Sequence, residues 1–260
     1  AFDSVVHNKL ISKLESYGIC GNLLHWIGSF LFDRLQFVQI DGLCSSTVHV
    51  VSGVPQGSVL GPILFIIYVN DVCDVIVGNT SCKLYADDIK LYCTVDFNGI
   101  SNELISTLDN VCHWSNIWQL SVNVKKCNVL RIGNSSVFND YLMNGISVPR
   151  VDQVIDLGIA SDSDLKFAAY SDSCVSKAYS RSFLIYKSFS SRNPFLLTKA
   201  FSTYVRPLLE YNSYLWSPID IGSINKLENI QRRFTKRINC ISNFSYNERL
   251  NILGLQTLEY

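Results

Sequence analysis

The sequence has no apolar run long enough to cross a lipid bilayer. Its longest unbroken apolar stretch is residues 63–69, whereas a membrane-spanning helix needs about 20 apolar residues. The sequence also has no Cys-x-x-Cys pair and no Cys/His spacing of the kind that holds zinc, although it contains nine cysteines. An odd set of cysteines without such spacing predicts reduced thiols, no structural zinc and an intracellular, reducing compartment. Because the longest apolar run is too short to cross a bilayer, we expect no membrane partner.

The chain has no net charge, because 22 Lys and Arg residues balance 22 Asp and Glu residues. Nucleic-acid-binding proteins usually carry an excess of positive charge, so any such surface here has to be local. Residues 222–240 contain only one acidic residue, Glu228, against five basic ones: Lys226, Arg232, Arg233, Lys236 and Arg237. Apolar residues at helical spacing predict an amphipathic helix at 224–238. Its basic face is either solvated or tracks nucleic-acid phosphates, and the local excess of charge favours the second interpretation.

The remaining pattern predicts a folded α+β protein, since 48% of the residues are apolar and no low-complexity linker is present. Periodicity predicts two helical segments in residues 9–32, broken at Gly18 and Gly21, and later helices at 101–118, 168–189 and 194–216. Predicted strands are residues 35–40 and 46–51 around an Asp41-Gly42 turn, a hairpin at 82–95, and residues 122–124 and 129–132. A loop and helix occupy 53–71, and a β-turn lies near Asn144-Gly145 within 138–149. Strand-like residues give way to helices at 161–166, which predicts one region of residues 1–165 and a second, helical region of residues 166–260.

Asp87 and Asp88 are adjacent acidic residues inside an apolar, strand-forming stretch. The flanking pattern predicts that they lie at the tight connection between two strands of a small antiparallel sheet with helices packed on one face. Two carboxylates this close repel each other, and a divalent cation relieves the conflict. Oxygen ligands alone favour Mg²⁺ or Mn²⁺. The simpler interpretation is a solvated turn, because acidic residues are common in turns.

Residues 53–65 join a glycine- and proline-containing loop to an apolar helix. Gly53 and Gly57 permit close approach of the backbone to a ligand, and Pro62 suits the first turn of a helix. A loop that leads into a helix N-terminus offers N–H groups to phosphates or bases. An ordinary loop before a buried helix would look the same if this motif stood alone.

Two motifs taken together resemble those of the reverse transcriptases of non-LTR (LINE-like) retrotransposons. They are Gly-Val-Pro-Gln-Gly-Ser-Val-Leu-Gly-Pro at residues 53–62 and Tyr-Ala-Asp-Asp at residues 85–88. Further segments resemble the same family in the same order: residues 1–7, 120–127, 156–158, 164–167, 204–211 and 230–235. The resemblance implies a polymerase palm in residues 1–165, a thumb-like region in residues 166–260, and RNA-directed DNA polymerase activity. The implied substrates are an RNA template, a DNA primer and deoxynucleoside triphosphates.

The resemblance also implies roles for individual residues. Asp87 is the stronger and Asp88 the weaker ligand of two Mg²⁺ ions, which activate the primer 3′-hydroxyl and stabilise the departing pyrophosphate. Lys126 stabilises or protonates that pyrophosphate, or is a solvated lysine on a strand edge. Gln56 and Gly57 face the nucleotide and template. Phe2 is the gate beside the sugar of the incoming nucleotide, or packs in the core.

Asp3 is a further carboxylate near these motifs, but the family's metal ligand lies five positions before the Phe that matches Phe2. That position precedes Ala1, so we expect Asp3 to be structural, as a helix cap, and the chain alone to be inactive. By the same resemblance, the fingers region and any endonuclease lie outside this chain. The protein is expected at the insertion site in the nucleus and otherwise in the cytoplasm. A group II intron maturase-type reverse transcriptase and a catalytically dead nucleic-acid-binding remnant remain alternatives.

Overall fold

The computed structural model describes residues 1–95, 101–133 and 140–258. These residues form two compact units, one of residues 1–95, 101–129 and 140–149 and the other of residues 130–133 and 150–258. Both units combine helices with short antiparallel strand pairs, so the expected α+β class is confirmed. Within these described ranges each sheet has two strands. The acidic hairpin is therefore a strand pair of its own and not part of a larger sheet.

Helices supply most of the core of the first unit. The N-terminal prediction of two helical segments is confirmed, since Tyr17 ends the first helix and Gly21 begins the second. The predicted helix near 101–118 is also confirmed, and Ser101 caps it by accepting a hydrogen bond from the Leu104 N–H. The helices are α1 (His7–Ser16), α2 (Gly21–Leu31), α3 (Leu60–Val69) and α4 (Asn102–Trp118). Their buried side chains include Leu10, Leu14, Leu31, Leu64, Phe65, Tyr68 and Val111.

The predicted hairpin around Asp41-Gly42 is present, but its strands are interrupted. The strands are β1 (Leu35–Gln36), β2 (Gln39–Ile40), β3 (Leu43–Cys44) and β4 (Val48–His49). β1 pairs with β4 and β2 pairs with β3. Asp41 and Gly42 both have positive φ, 49° and 82°, which matches the backbone twist that two-residue hairpin turns require.

Two further hairpins follow in the first unit. β5 (Ser81–Tyr85) pairs with β6 (Asp88–Tyr92), and β8 (Leu142–Met143) pairs with β9 (Ile146–Ser147). Between β8 and β9, Asn144 and Gly145 have φ of 51° and 75°, so the predicted turn is confirmed there. The part of the predicted 138–149 segment before residue 140 lies outside the described residues.

The predicted strand at residues 122–124 is wrong. The backbone instead forms a 3-10 turn over Val124–Lys126, in which the Lys126 N–H donates to the Asn123 carbonyl. Val124 is buried in the core of the first unit, and this burial fixes one side chain without requiring an alternating strand. The next strand, β7 (Val129–Leu130), is shorter than the predicted 129–132.

The second unit opens with strands and continues with helices. The elements are β10 (Arg150–Val151), β11 (Gln153–Asp156), β12 (Ile159–Asp162), α5 (Ala168–Ser188), α6 (Pro194–Tyr204), α7 (Arg206–Glu210), α8 (Ser213–Trp216), α9 (Ile221–Lys236) and α10 (Tyr246–Leu253). The single helix predicted over 194–216 is wrong, since Pro207 cannot donate to a preceding turn and Asn212 adopts a φ of 51°. Three helices replace it.

The predicted change from strands to helices at residues 161–166 is confirmed, because β12 ends at Asp162 and α5 begins at Ala168. The compact units divide earlier in the chain, since Ile159 on β12 packs in the helical core with Phe167 and Tyr170. The assignment of residues 1–165 to a palm and 166–260 to a thumb-like region stays a prediction.

A buried lysine joins three elements of the first unit. Lys13 on α1 is 2% exposed and forms an ion pair with Asp71. Its Nζ lies 3.8 Å from the centroid of the Trp118 ring and 4.9 Å from those of Tyr68 and Trp114. Burial lowers the pKa of Lys13, and the Asp71 carboxylate opposes that shift. This cluster ties α1 to α4 and to the end of α3.

The described residues contain no helix that combines the length and the apolar character needed to cross a bilayer.

Candidate functional site

Asp87 and Asp88 lie at the tip of the β5–β6 hairpin, as the sequence predicts. Tyr85 pairs with Asp88, which leaves Ala86 and Asp87 as the two turn residues. Both aspartates are exposed. Ala86 has a φ of 51°, a value usually reserved for glycine at the first position of such turns, and an alanine there stores about 1–2 kcal/mol of strain. The hairpin thus holds a strained, solvent-facing turn that presents two carboxylates.

The donor set at this turn suits a hard divalent cation. Mg²⁺ is commonly held by one or two carboxylates, with water and substrate phosphates completing its octahedron, and Asp87 with Asp88 supplies such a pair. Among the residues that the structure describes, no group of three or more His, Cys, Asp and Glu side chains is arranged to hold a metal ion. The aspartates therefore fit a site shared with a phosphate ligand, not a cage built from protein alone.

The loop before α3 is held by the N-terminal segment of the chain. The Gly53 N–H donates to the Val5 carbonyl at 2.8 Å, and the Val54 N–H donates to the Phe2 carbonyl at 3.0 Å. A Cβ added at Gly53 would lie 2.7 Å from the Asp3 Cα, and its φ is 91°. Glycine at 53 is therefore required by backbone contact as well as by conformation. This explains the first glycine of the motif without a ligand.

Asp3 binds Gln56 and does not cap a helix, so the expected cap is wrong. The Gln56 Nε2 donates to the Asp3 Oδ1 at 2.9 Å, and the Ser52 hydroxyl donates to the Asp3 carbonyl, also at 2.9 Å. The short 3-10 turn that contains Asp3 has no side-chain cap. The carboxylate instead orients the amide of a residue that the sequence assigns to nucleotide and template contact.

Phe2 and Gly57 differ in their surroundings. The Phe2 ring stacks on Phe65 of α3, with centroids 4.1 Å apart and an interplanar angle of 19°, while the residue stays partly exposed. Gly57 has a φ of 80°, and a Cβ built there would meet nothing within 4 Å. Phe2 thus both packs and reaches the surface, and the space above Gly57 is open to a ligand.

His7 is a residue of this site that the sequence did not single out. It is 4% exposed, and its Nε2 is 2.7 Å from the Gly53 carbonyl oxygen, so this nitrogen is the protonated donor. Its ring also meets Phe32 edge-on at 5.4 Å. No local pattern links His7 to a loop 46 residues away, so sequence spacing offered no signal for this anchor.

Lys126 is exposed and lies at the end of the 3-10 turn, not on the predicted strand edge. Its role at a leaving pyrophosphate stays a prediction.

The basic segment of the second unit forms α9 as predicted, although the helix spans 221–236 and not 224–238. It starts three residues earlier because the Asp220 carboxylate accepts the Ser223 N–H at 2.8 Å and caps it. Its buried face contains Leu227, Ile230 and Phe234, its four basic residues are exposed, and Arg237, which follows the last helical residue, is exposed as well. Lys226 pairs with Asp172 at 2.9 Å, in a contact where both side chains are more than half exposed.

Four arginines on or beside this surface lie over tyrosine rings, and one of them, Arg232, has its Cζ 4.9 Å from the Tyr246 centroid. The Arg237 Cζ is 4.6 Å from the Tyr186 centroid, and the Arg233 Cζ is 5.6 Å from the Tyr179 centroid, both within cation–π range. Arg192, which the sequence did not single out, approaches Tyr186 at 5.9 Å. Stacking orders each guanidinium while its N–H edges can still reach phosphate oxygens.

Comparison with known proteins follows these motifs along the chain. Residues 1–186 match the family model described as reverse transcriptase (RNA-dependent DNA polymerase). The chain is 29% identical over 252 residues to the RNA-directed DNA polymerase from mobile element jockey of Drosophila funebris, a match that covers 92% of this chain and 27% of that protein. It is 27% identical over 258 residues to the probable RNA-directed DNA polymerase from transposon BS of Drosophila melanogaster, covering 92% of this chain and 28% of that protein.

A third relative, the retrovirus-related Pol polyprotein from type-1 retrotransposable element R2 of Popillia japonica, is 26% identical over 165 residues, covering 58% of this chain and 24% of that polyprotein. The chain spans about a quarter of the length of the curated relatives that it matches. Reverse transcriptases in general use divalent metal ions, which agrees with the donor set of the Asp87–Asp88 turn. With its family match extending from Ala1 into α5, the chain belongs to the reverse transcriptase family.

Proposed function

We propose that this chain is the polymerase portion of a non-LTR retrotransposon protein, which extends a DNA primer on an RNA template from deoxynucleoside triphosphates. The observation that carries the proposal is the exposed Asp87–Asp88 pair on a strained two-residue turn. Adjacent carboxylates on a hairpin suit a phosphoryl-transfer site, because the cation that they would hold offsets the negative charge that develops on phosphate oxygens. The similarity to mobile-element polymerases supports the same reaction class.

In this proposal Asp87 and Asp88 hold Mg²⁺, which Mn²⁺ can replace. The bound ion would activate the primer 3′-hydroxyl and neutralise charge on the triphosphate. The loop of residues 53–58 would bind and orient the substrates, with the amide of Gln56 positioned by its hydrogen bond to the Asp3 carboxylate. Gly57 leaves room for the nascent base pair, and the exposed ammonium of Lys126 supports the leaving group.

The exposed basic face of α9 would hold the template–primer backbone. Phosphate contacts by Arg233 and Arg237 position a duplex without reading its bases. We also propose that the protein acts in a reducing compartment, which is the nucleus during insertion and otherwise the cytoplasm. In the same proposal, the fingers region and any endonuclease would belong to other parts of the same polyprotein.

The decisive experiment replaces Asp87 by Asn in a protein that also carries the upstream residues of the element. Primer extension on a poly(rA)–oligo(dT) template should fall by at least about a hundredfold, since one metal-binding carboxylate supplies several kcal/mol to a two-metal transition state. Template–primer affinity, measured by fluorescence anisotropy, should stay within about twofold because the change leaves every basic residue of α9 unaltered. Undiminished extension by Asp87→Asn would refute the assignment.

The contrasting variant is Asp3→Ala. Its carboxylate orients Gln56, so its loss should raise the KM for nucleotide while extension remains measurable. If Asp3→Ala abolishes extension as completely as Asp87→Asn, then Asp3 is itself a metal ligand and its structural role is wrong.

A further inference from the structure

Two cysteine thiols meet beside the hairpin that carries the aspartate turn. Cys73 lies on the 3-10 turn Asn70–Val75 that follows α3, and Cys82 is the second residue of β5. Their Sγ atoms are 3.8 Å apart. Cys73 is exposed to solvent and Cys82 is partly buried. One thiol of the pair is therefore accessible to a reagent, and the other is in contact with it.

Formation of a disulfide would require only a short movement of the two sulfur atoms. A disulfide needs a sulfur–sulfur distance of about 2.05 Å, so the two sulfurs have to approach by less than 2 Å from a contact of 3.8 Å. Rotation about the Cα–Cβ bonds moves a sulfur by that much without moving the backbone. The hairpin register, with Cys82 opposite Leu91, would stay as it is.

We propose that Cys73 and Cys82 form a redox-responsive dithiol site, which closes to an intramolecular disulfide by exchange with a small disulfide such as oxidised glutathione. This inference does not rest on the proposed polymerase activity. Disulfides in proteins of reducing compartments are usually transient and redox-sensing. Such a bond needs at least one thiol that a dissolved reagent can reach, and Cys73 is that thiol.

The exchange takes place in two balanced steps. The Cys73 thiolate attacks one sulfur of oxidised glutathione, which forms a mixed disulfide and releases one glutathione thiolate. Cys82 then loses its proton and attacks the Cys73 sulfur, which releases the second glutathione. The two thiols lose two electrons and two protons in total, and one oxidised glutathione becomes two reduced molecules. Burial and the contact with Cys73 raise the pKa of Cys82 to about 11, so the exposed Cys73 reacts first.

The consequence is a covalent link between the start of β5 and the turn after α3. The link closes a loop that contains residues 74–81 and anchors the strand that leads to Ala86 and Asp87. Oxidation would thus restrain the hairpin at its base while leaving its tip unmodified.

The test is disulfide mapping on the folded 260-residue chain. The protein is equilibrated with oxidised and reduced glutathione, blocked with N-ethylmaleimide, digested with a protease that cleaves before Asp, and analysed by mass spectrometry. Cleavage before Asp71, Asp74 and Asp87 places the two cysteines on separate peptides, so a covalent pair of these peptides reports the bond directly.

The chain offers an internal comparison, because Cys82 is nearly as close in sequence to Cys93 as to Cys73. Loop-closure entropy is almost equal for the two pairings, so in urea both linkages should form to within about twofold of each other. In the folded protein the Cys73–Cys82 linkage should exceed the Cys82–Cys93 linkage by at least about tenfold, since the Cys73 thiol is both in contact with Cys82 and more exposed than that of Cys93. Cys73→Ser should abolish the dominant linkage, and Cys44→Ser, which removes another exposed thiol, should leave it unchanged.

Two results would overturn the proposal. One is equal formation of the two linkages in the folded protein. The other is a stable mixed disulfide of glutathione on Cys73 that never resolves onto Cys82.

Discussion

Asp3 and Asp87 are two exposed carboxylates with different surroundings. Asp3 accepts a hydrogen bond from Gln56 and lies under the Gly53 backbone, whereas Asp87 occupies a turn tip next to a second aspartate. A side chain already engaged by an amide is suited to positioning, and a repelling pair is suited to binding a cation. The role expected of each carboxylate therefore depends on the groups that surround it.

The turn that holds Asp87 should become more stable when Ala86 is replaced by Gly. The φ of 51° at this position strains an alanine, and glycine removes the strain while adding entropy to the unfolded chain. We expect a net gain of up to about 1 kcal/mol in the free energy of unfolding by urea. The control is Ala169→Gly on α5, an exposed helical position where glycine should lower stability. A loss of stability at both positions would contradict the strained turn.

The two faces of α9 have different side chains, apolar on one and basic on the other. Leu227, Ile230 and Phe234 bury one side, and the opposite side concentrates basic residues in a chain of zero net charge. The tyrosines beneath Arg233 and Arg237 belong to α5, so two helices build the surface together.

Removing both arginines should weaken nucleic-acid binding without changing its sequence preference. For the double variant Arg233→Ala and Arg237→Ala, each lost phosphate contact should lower the salt slope of log affinity by about 0.7–0.9. Affinity should fall about equally for unrelated template–primer sequences, because no base edge is contacted. Anisotropy titrations between low and moderate salt measure both quantities.

The matched control for this double variant is Lys166→Ala with Lys199→Ala, which removes the same charge from exposed positions of the second unit outside α9. If the control lowers affinity and salt slope as much as the arginine variant, the effect reflects net charge alone and α9 is only a solvated amphipathic helix.

The first unit contains a polar contact inside an aromatic cluster. Lys13, Asp71 and Trp114 form a connected group, in which the Trp114 Nε1 also donates to the Asp71 carboxylate at 3.0 Å. Burying an ammonium is costly unless such partners surround it. The surrounding rings supply cation–π contacts that compensate for part of the lost hydration.

Lys13→Met should therefore destabilise the protein, since it leaves the Asp71 carboxylate without its cation. The loss should lie near the lower end of the about 3–5 kcal/mol seen for broken buried pairs, because the Asp71 side chain is 25% exposed. Adding Asp71→Asn should recover part of the loss by removing the uncompensated charge. Urea unfolding of the wild type and the variants forms the test, and additive losses in the double variant would show that the two groups are not coupled.

Local chemistry determined much of this protein from the sequence by itself. The Asp41-Gly42 and Asn144-Gly145 turns, the hairpin that presents Asp87, and helix α5 were predictable because each depends on residues adjacent in the chain. The motif pair at residues 53–62 and 85–88 indicated the family for the same reason, since the order and spacing of motifs are properties of sequence.

Only the tertiary structure decided the contacts between distant residues. Three such contacts join different elements: the hydrogen bond from His7 to the Gly53 carbonyl, the hydrogen bond from Gln56 to the Asp3 carboxylate, and the contact between the Cys73 and Cys82 thiols. No periodicity encodes such pairs, because they depend on how each element packs. The same reason explains why the strand predicted at residues 122–124 is wrong. The local sequence favours β structure there, but packing of Val124 in the core took precedence over that preference.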